Sequence, residues 1–198
     1  WGGFTLSWYT QMFESRAIMY ALYTTLLVAM ISALVATVIG TVTAIAISHM
    51  KPVSKNIFMS ISNIPMLNAD IVTGIALMLW FSRFTNLGYV SILLAFIAFG
   101  ISLGFKTVLI SHITFNIPYV ILSVMPKLKQ TDRSTYEAAL DLGASPAYAF
   151  FEVVFPDIMP GVLSGFLLAF TMSLDDFIIT HFTKGAGINT LSTLIYSE

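Results

Sequence analysis

Cysteine is absent from the 198 residues, and charge is scarce: Asp, Glu, Lys and Arg together make up 10% of the chain. The first absence excludes a disulfide framework and any metal site built on thiolates. The second excludes an ordinary soluble domain, in which roughly a quarter of the residues are charged. A formal net charge of −1 and the lack of any basic block leave nothing to hold a nucleic acid. No glycine-rich loop ends in Lys-Ser or Lys-Thr to cradle a nucleotide phosphate, and no acids or histidines stand at metal-ligand spacing. The residues therefore read as those of a non-catalytic chain without a metal or cofactor of its own.

What is present in excess is apolar, 57% of all residues. From Ala17 to Met50 there is no Asp, Glu, Lys or Arg, well beyond the ~20 residues that cross a bilayer core of ~30 Å. Ala36, Gly40 and Ala44 make successive small-xxx-small steps in this run, a packing signal. The reading is all-α, a polytopic helical bundle with spans at about 17–50, 57–82, 106–126 and 160–182 forming a single domain. Residues 1–16 are too short and polar to span, and their Trp and Tyr suit the membrane–water interface. Residues 84–105 are read as an extracytoplasmic insertion or an extension of their neighbours, since Gly88, Gly100 and Gly104 weaken them as a helix. Lys51, Lys55, Lys127, Lys129 and Arg133 flank the connections on one side, and that excess marks the cytoplasm. The loop 127–159 then faces inward.

That loop carries the densest local signals, in the run STYEAALDLGASPAYAFFEVVFPDIMP over residues 134–160. Ser134 and Glu137 have the spacing of a capping box. Gly143 ends that helix, Ser145 and Pro146 start another as N-cap and first residue, and Pro156 is expected to stop it. Ala147, Phe150, Phe151, Val154 and Phe155 then share one large apolar face.

The pattern Glu137, Ala138, Ala139, Gly143, Val153, Phe155, Pro156 resembles the cytoplasmic EAA loop of the membrane-spanning subunits of bacterial ABC importers. Val153 and Phe155 stand where that pattern usually has Ile and Leu. The resemblance implies the type I ABC importer permease fold, in a bacterial inner membrane, with a coupling helix docked on a cytoplasmic ATPase. The contact would be formed by Glu137, Ala138, Ala139, Gly143, Phe150, Phe151 and Pro156. ATP and Mg would be bound by two partner ATPase subunits, and a second, similar permease subunit and an extracytoplasmic solute-binding protein would complete the complex. Four further segments resemble spermidine/putrescine permeases of the C-subunit type: Gly3, Phe4, Thr5, Trp8 and Tyr9; Ala69 to Val72; Ser111 to Phe115; and Ser173 to Phe177. Members of that family have a helix before the Trp1 segment and another after Glu198, so a chain trimmed at both ends is expected.

An intramembrane carboxylate costs about 2.5–3.5 kcal/mol on insertion scales, so each needs a reason. Asp70, Asp175 and Asp176 fall in the expected spans. Adjacent helical residues project about 100° apart. Asp175 thus joins Ser164 and Thr171 in a polar stripe, whereas Asp176 turns toward Ser173 and Thr180. Asp175 is read as lining a passage, and Asp176 as either a second path residue or a hydrogen-bonded structural acid. Asp70 would share a face with Asn63 and Gly74 if the helix stays regular past Pro65. His112 reads as a satisfied packing histidine. Spaced acids in an apolar wall suit polyamines, which carry ammonium groups along an apolar stem. Importers of ferric iron, phosphonates or another small solute are the alternative, and a secondary transporter or channel would leave the EAA-like loop unexplained.

Overall fold

A computed structural model describes residues 12–67, 70–86, 103–185 and 187–196, and every long element in it is a helix. In chain order these are α1 (Arg16–Ser48), α2 (Pro52–Leu67), α3 (Asp70–Asn86), α4 (Phe105–Gln130), α5 (Arg133–Asp141), α6 (Pro146–Asp175, with a π turn over Phe150–Val154), α7 (Ile178–Thr183) and α8 (Leu191–Ile195). Three of them, α1, α4 and α6, are long and apolar enough to cross a bilayer. α1 has 33 residues with Arg16 at its start and no Asp, Glu, Lys or Arg after it, and its threonines fit because their hydroxyls bond back to the preceding turn. Thr25 donates to the Ala21 carbonyl at 2.8 Å and Thr37 to that of Ala33 at 2.7 Å. A hydroxyl satisfied this way does not have to seek water. Tyr23, Val38 and Val42 stand on α1 with 62–66% of their surface exposed, as suits a helix side turned to lipid.

Of the helix expected over 57–82, the described parts are α2 and α3, and residues 68 and 69 between them lie outside the described set. Asp70 is the first described residue of α3. The face expected to join Asp70 to Asn63 runs across residues 68 and 69, outside the described residues. At the last span the boundaries differ from the sequence reading: expected over 160–182, it begins at Pro146 and is interrupted after Asp175, with α7 following as a separate helix. The segment 84–105 falls largely outside the described residues, as does the interfacial segment 1–11.

The chain divides into two compact units. One comprises Ser32–Asn68 and Ile113–Met172. Its core is aliphatic: Ala33, Ala44, Ile47, Val120, Ile121, Val124, Met125 and Ala169 are all buried. Small residues set how closely its helices approach. A Cβ added to Gly40 would lie 2.7 Å from Val120 Cβ, and one added to Gly165 would lie 3.2 Å from Val120 Cα. At Gly161 it would meet the Ser123 carbonyl at 3.0 Å. Two stripes, Ala36-Gly40-Ala44 on α1 and Gly161-Gly165-Ala169 on α6, thus let α4 come within backbone reach of both. Without a hydrophobic force between helices in lipid, such close van der Waals packing is what associates them.

The other unit comprises Trp1–Ile31, Ala69–His112 and Ser173–Glu198. Its buried set is rich in hydroxyls: Thr24, Thr25, Thr107, Ser111, Ser173, Thr180, Thr183, Thr190 and Thr193, with His112 among them. Thr107 donates to the Thr183 carbonyl at 2.7 Å, joining α4 to α7, and Thr25 accepts from the Leu191 amide at 2.8 Å, joining α1 to α8. Gly74 of α3 lies against the Phe182 ring of α7, where a Cβ would have only 3.0 Å.

Gly40→Leu should therefore cost about 1–3 kcal/mol by overpacking, read as a lower unfolding temperature of the purified protein in detergent. Val38→Leu, on the exposed side of the same helix, should leave that temperature unchanged.

Candidate functional site

Two places in the fold gather the sequence-singled residues, one in each unit. The first is the loop between α4 and α6. Its short helix α5 is capped by Asp132, whose carboxylate accepts the Ser134 amide at 2.9 Å. The N-cap is thus Asp132, two residues upstream of the expected Ser134. Asp132 takes the extended conformation that a cap needs (φ −76°, ψ 115°), and its carboxylate outcompetes a hydroxyl for the positive helix end. The Ser134 amide, and then its hydroxyl, hold the Asp132 carboxyl below the usual carboxylate range.

Gly143 ends α5 as expected, at φ +90°. The Gly143 amide donates to the Leu140 carbonyl at 2.9 Å and the Ala144 amide to that of Ala139 at 3.1 Å, the paired bonds of a Schellman closure. A Cβ at Gly143 would meet nothing within 4 Å. Glycine is required there for backbone conformation and not for space. Ser145 then caps α6, accepting the Tyr148 amide at 3.3 Å, with Pro146 as the first helical residue.

Pro156 does not stop this helix. The five residues Phe150 to Val154 form a π turn in which the Phe155 amide donates to the Phe150 carbonyl, and Pro156 comes next after Phe155. The wider turn accommodates a residue with no N–H and a bulky ring just beyond it. The same turn breaks the 3.6-residue phase, so the expected apolar face divides. Phe150 is half-buried and lines a cavity, whereas Phe151 is 62% exposed. Phe150, Phe151 and Phe155 still pack as a ring cluster, with centroids 5.3–6.4 Å apart. Leu142 and Tyr148, which sequence reasoning passed over, are exposed at 89% and 62%. Together with Phe151 they leave a bare apolar surface on a polar loop. The signal for Leu142 was its place beside Gly143, where a helix end projects its last side chains.

The cavity behind the loop has a volume of about 730 Å3, and Ser48, His49, Lys55, Lys129, Glu137 and Phe150 are among its walls. It brings Lys55 together with Lys129 and Glu137 of the loop. Ala138 and Pro156 are exposed and Ala139 is half-buried.

The second place is the interruption between α6 and α7. Asp175 is the last residue of α6 and is exposed. Ser164 and Thr171 are exposed on the same helix, and Thr171 returns its hydroxyl proton to the Leu167 carbonyl at 2.8 Å. Asp176 turns inward. Its Oδ1 accepts the Ile179 amide at 3.2 Å, and its Oδ2 accepts the Thr180 amide at 2.8 Å and the Thr180 hydroxyl at 2.9 Å. Of the two readings of Asp176, the hydrogen-bonded acid matches this geometry. The two adjacent carboxylates are opposed in setting: Asp176 serves the positive start of α7, and Asp175 sits at the negative end of α6. A carboxylate at a helix C-terminus is disfavoured by roughly 0.3–1 kcal/mol. Carboxylate and terminal carbonyls together favour a cation, an arrangement that interrupted membrane helices offer. Asp70, exposed on α3, is not joined to this pair by any described contact.

An all-helical fold with membrane-length helices, an exposed apolar loop and an acid at a helix interruption defines a polytopic membrane protein of the permease class. The chain belongs to the family of binding-protein-dependent transport system inner membrane components, which matches residues 36–197. It is 34% identical over 199 aligned residues to the putrescine transport system permease protein PotI of Escherichia coli K12, covering all of this chain and 68% of that protein. It is 34% identical over 197 residues to the spermidine/putrescine transport system permease protein PotC of Haemophilus influenzae, covering all of this chain and 71% of that protein. To PotC of Escherichia coli K12 it is 35% identical over 197 residues, with 69% of that protein covered.

The Asp132 cap makes the loop pH-dependent with a defined sign. Because the folded carboxyl lies below its unfolded value, its stabilisation of α5 is complete above the unfolded pKa and is lost as pH falls through the folded one. Amide hydrogen exchange corrected for intrinsic rates should find residues 134–136 protected at neutral pH and less so in acid. Asp132→Ala should lower protection at neutral pH and make no difference in acid.

Proposed function

We propose that this chain forms one half of the membrane passage of an ATP-driven importer of polyamines, spermidine and putrescine. The reading of solute rests on one observation above the others: the similarity to putrescine and spermidine/putrescine permeases runs the whole length of the chain. The exposed Asp175 at the negative end of α6 supports it chemically, since an ammonium group is attracted there by a carboxylate and by the helix end together. Ser164 and Thr171 continue that side of the helix as hydrogen-bonding groups toward the loop. Asp70, on α3, is a further acid available to a second ammonium group, and Asp176 belongs with the path only by holding its wall.

The chain itself carries out no chemistry in this proposal. A second permease subunit completes the passage, an extracytoplasmic binding protein delivers the solute, and two cytoplasmic ATPase subunits bind ATP and Mg. The loop transmits their closure. Leu142, Tyr148 and Phe151 supply the apolar anchors, Glu137, Ala138 and Ala139 the neighbouring helix surface, and Gly143 and Pro156 the angles of the two helices.

Uptake of labelled putrescine and spermidine into proteoliposomes bearing the whole transporter tests the proposal. Transport should require ATP and the ATPase subunits; uptake driven by an ion gradient alone would overturn it. An ion pair at 4 Å is worth about 4 kcal/mol at an effective dielectric of 20, so removing one charge from the passage has a large effect. Asp175→Asn should leave assembly intact and lower uptake by about tenfold or more.

For the loop, truncating an aromatic anchor commonly costs more than about 1 kcal/mol of binding. Phe151→Ala should weaken ATPase association by about fivefold or more in a pull-down titration, and Phe150→Ala, facing the cavity, should weaken it less. The reverse order would place the contact on the other side of the helix.

A further inference from the structure

His112 is the buried titratable group with the most partners among the described residues. Only 3% exposed on α4, it pairs Nδ1 with Ser173 Oγ at 2.5 Å and Nε2 with Thr180 Oγ1 at 2.9 Å, and Nε2 lies 3.4 Å from Asp176 Oδ2. Its three partners are spread across the interruption: Ser173 stands in the last turn of α6, Asp176 lies in the gap and Thr180 stands in the first turn of α7. All four residues belong to one compact unit.

The hydrogen bonds assign the imidazole. Thr180 donates its hydroxyl proton to Asp176 Oδ2, so its oxygen is left to accept, and Nε2 is the nitrogen that carries the proton. Nδ1 is then free to accept from the Ser173 hydroxyl. One ring thus closes a circuit from the end of one helix to the start of the next. Removing it would leave a buried hydroxyl on each side of the gap without its cross-helix partner.

Packing alone does not require this arrangement. An aliphatic side chain would fill the volume without cost to α4, and interrupted helices in a bilayer need their freed backbone groups satisfied from nearby. Asp176 does that for the amides of Ile179 and Thr180, and His112 holds Asp176 and Thr180 in place to do it. The residue whose direction follows from this is Asp175, the last residue of α6 and one position before Asp176.

We propose that His112 is a positioning residue for transport: by tying Ser173, Asp176 and Thr180 together it fixes the interruption between α6 and α7 and thereby the direction of the Asp175 carboxylate. The inference rests on the reading of Asp175 as a residue of the cation passage. It differs from simple packing in its consequences, because it acts on the affinity of assembled transporters and acts through one acid.

The test is putrescine uptake in proteoliposomes holding the whole transporter, normalised to assembled complex, with wild type, His112→Leu, His112→Gln, Asp175→Asn and the double variant His112→Leu/Asp175→Asn. His112→Leu should lower kcat/KM about tenfold, mainly by raising KM, and His112→Gln should recover most of it, since its amide N–H reaches Thr180 and Asp176 as Nε2–H does. In the Asp175→Asn background, His112→Leu should change kcat/KM less than twofold.

Full additivity of the two, or a normal KM in His112→Leu alongside an impaired Asp175→Asn, overturns the positioning role and leaves the passage reading standing. A normal Asp175→Asn overturns the passage reading and the inference with it. If His112→Leu does not assemble, Thr180→Val and Ser173→Ala remove the same bonds at nearly constant volume and carry the same expectation. Because the chain has no cysteine, Asp175→Cys adds a direct measure of direction. Its modification rate by a cationic thiosulfonate should fall at least fivefold when His112 is Leu, and an unchanged rate counts against the proposal.

Discussion

In hydrocarbon no water is at hand, so a backbone amide released from a helix must find a partner within the protein. That constraint governs the interruption after Asp175. Asp176 accepts two amides and a hydroxyl of the following turn, His112 braces it, and Ser192 donates to its carbonyl at 2.8 Å. The unit around the gap is correspondingly filled with threonines and serines whose hydroxyls reach carbonyls, while the other unit is aliphatic and closes on glycines. The difference follows from what each must bury: an interrupted backbone in one case, smooth helix sides in the other.

The loop between α4 and α6 meets a different demand. It has water available, so its helices end by local means: a carboxylate cap at Asp132, a glycine closure at Gly143, a serine cap at Ser145. These devices fix the angle between α5 and α6 without a core of their own. That leaves Leu142, Tyr148 and Phe151 exposed. The π turn adds a second consequence. By shifting phase in the middle of the aromatic run, it sends Phe150 to the cavity side and Phe151 outward, so neighbouring rings serve different neighbours.

The paired acids give the clearest case of identical chemistry divided by setting. Asp175 and Asp176 differ by one position, yet one faces the negative end of a helix and stays exposed, while the other faces the positive start of the next and is nearly covered. A carboxylate that already accepts three hydrogen bonds has little left to offer a passing ammonium group. A carboxylate at a helix C-terminus has its charge reinforced by the carbonyls around it. In the proposed passage, Asp175 is the acid left to meet a cation because Asp176 is already occupied.

The sequence by itself determined the helical class, the membrane-length apolar runs, the turn at Gly143, the restart at Ser145 and Pro146, and the opposite directions of Asp175 and Asp176. Each of these depends on composition over tens of residues or on the conformational limits of one or two, and both are written locally. The tertiary structure alone decided where helices break. Pro156, a stop by local rule, is carried through by a π turn, and the final span gives way at Asp176 with no proline or glycine to announce it. The role of His112 was equally hidden, since its partners lie 61 to 68 residues away and periodicity cannot signal a contact at that range. A helix continues or breaks according to which state satisfies its backbone groups, and when the satisfying atoms come from another helix, no local pattern records them.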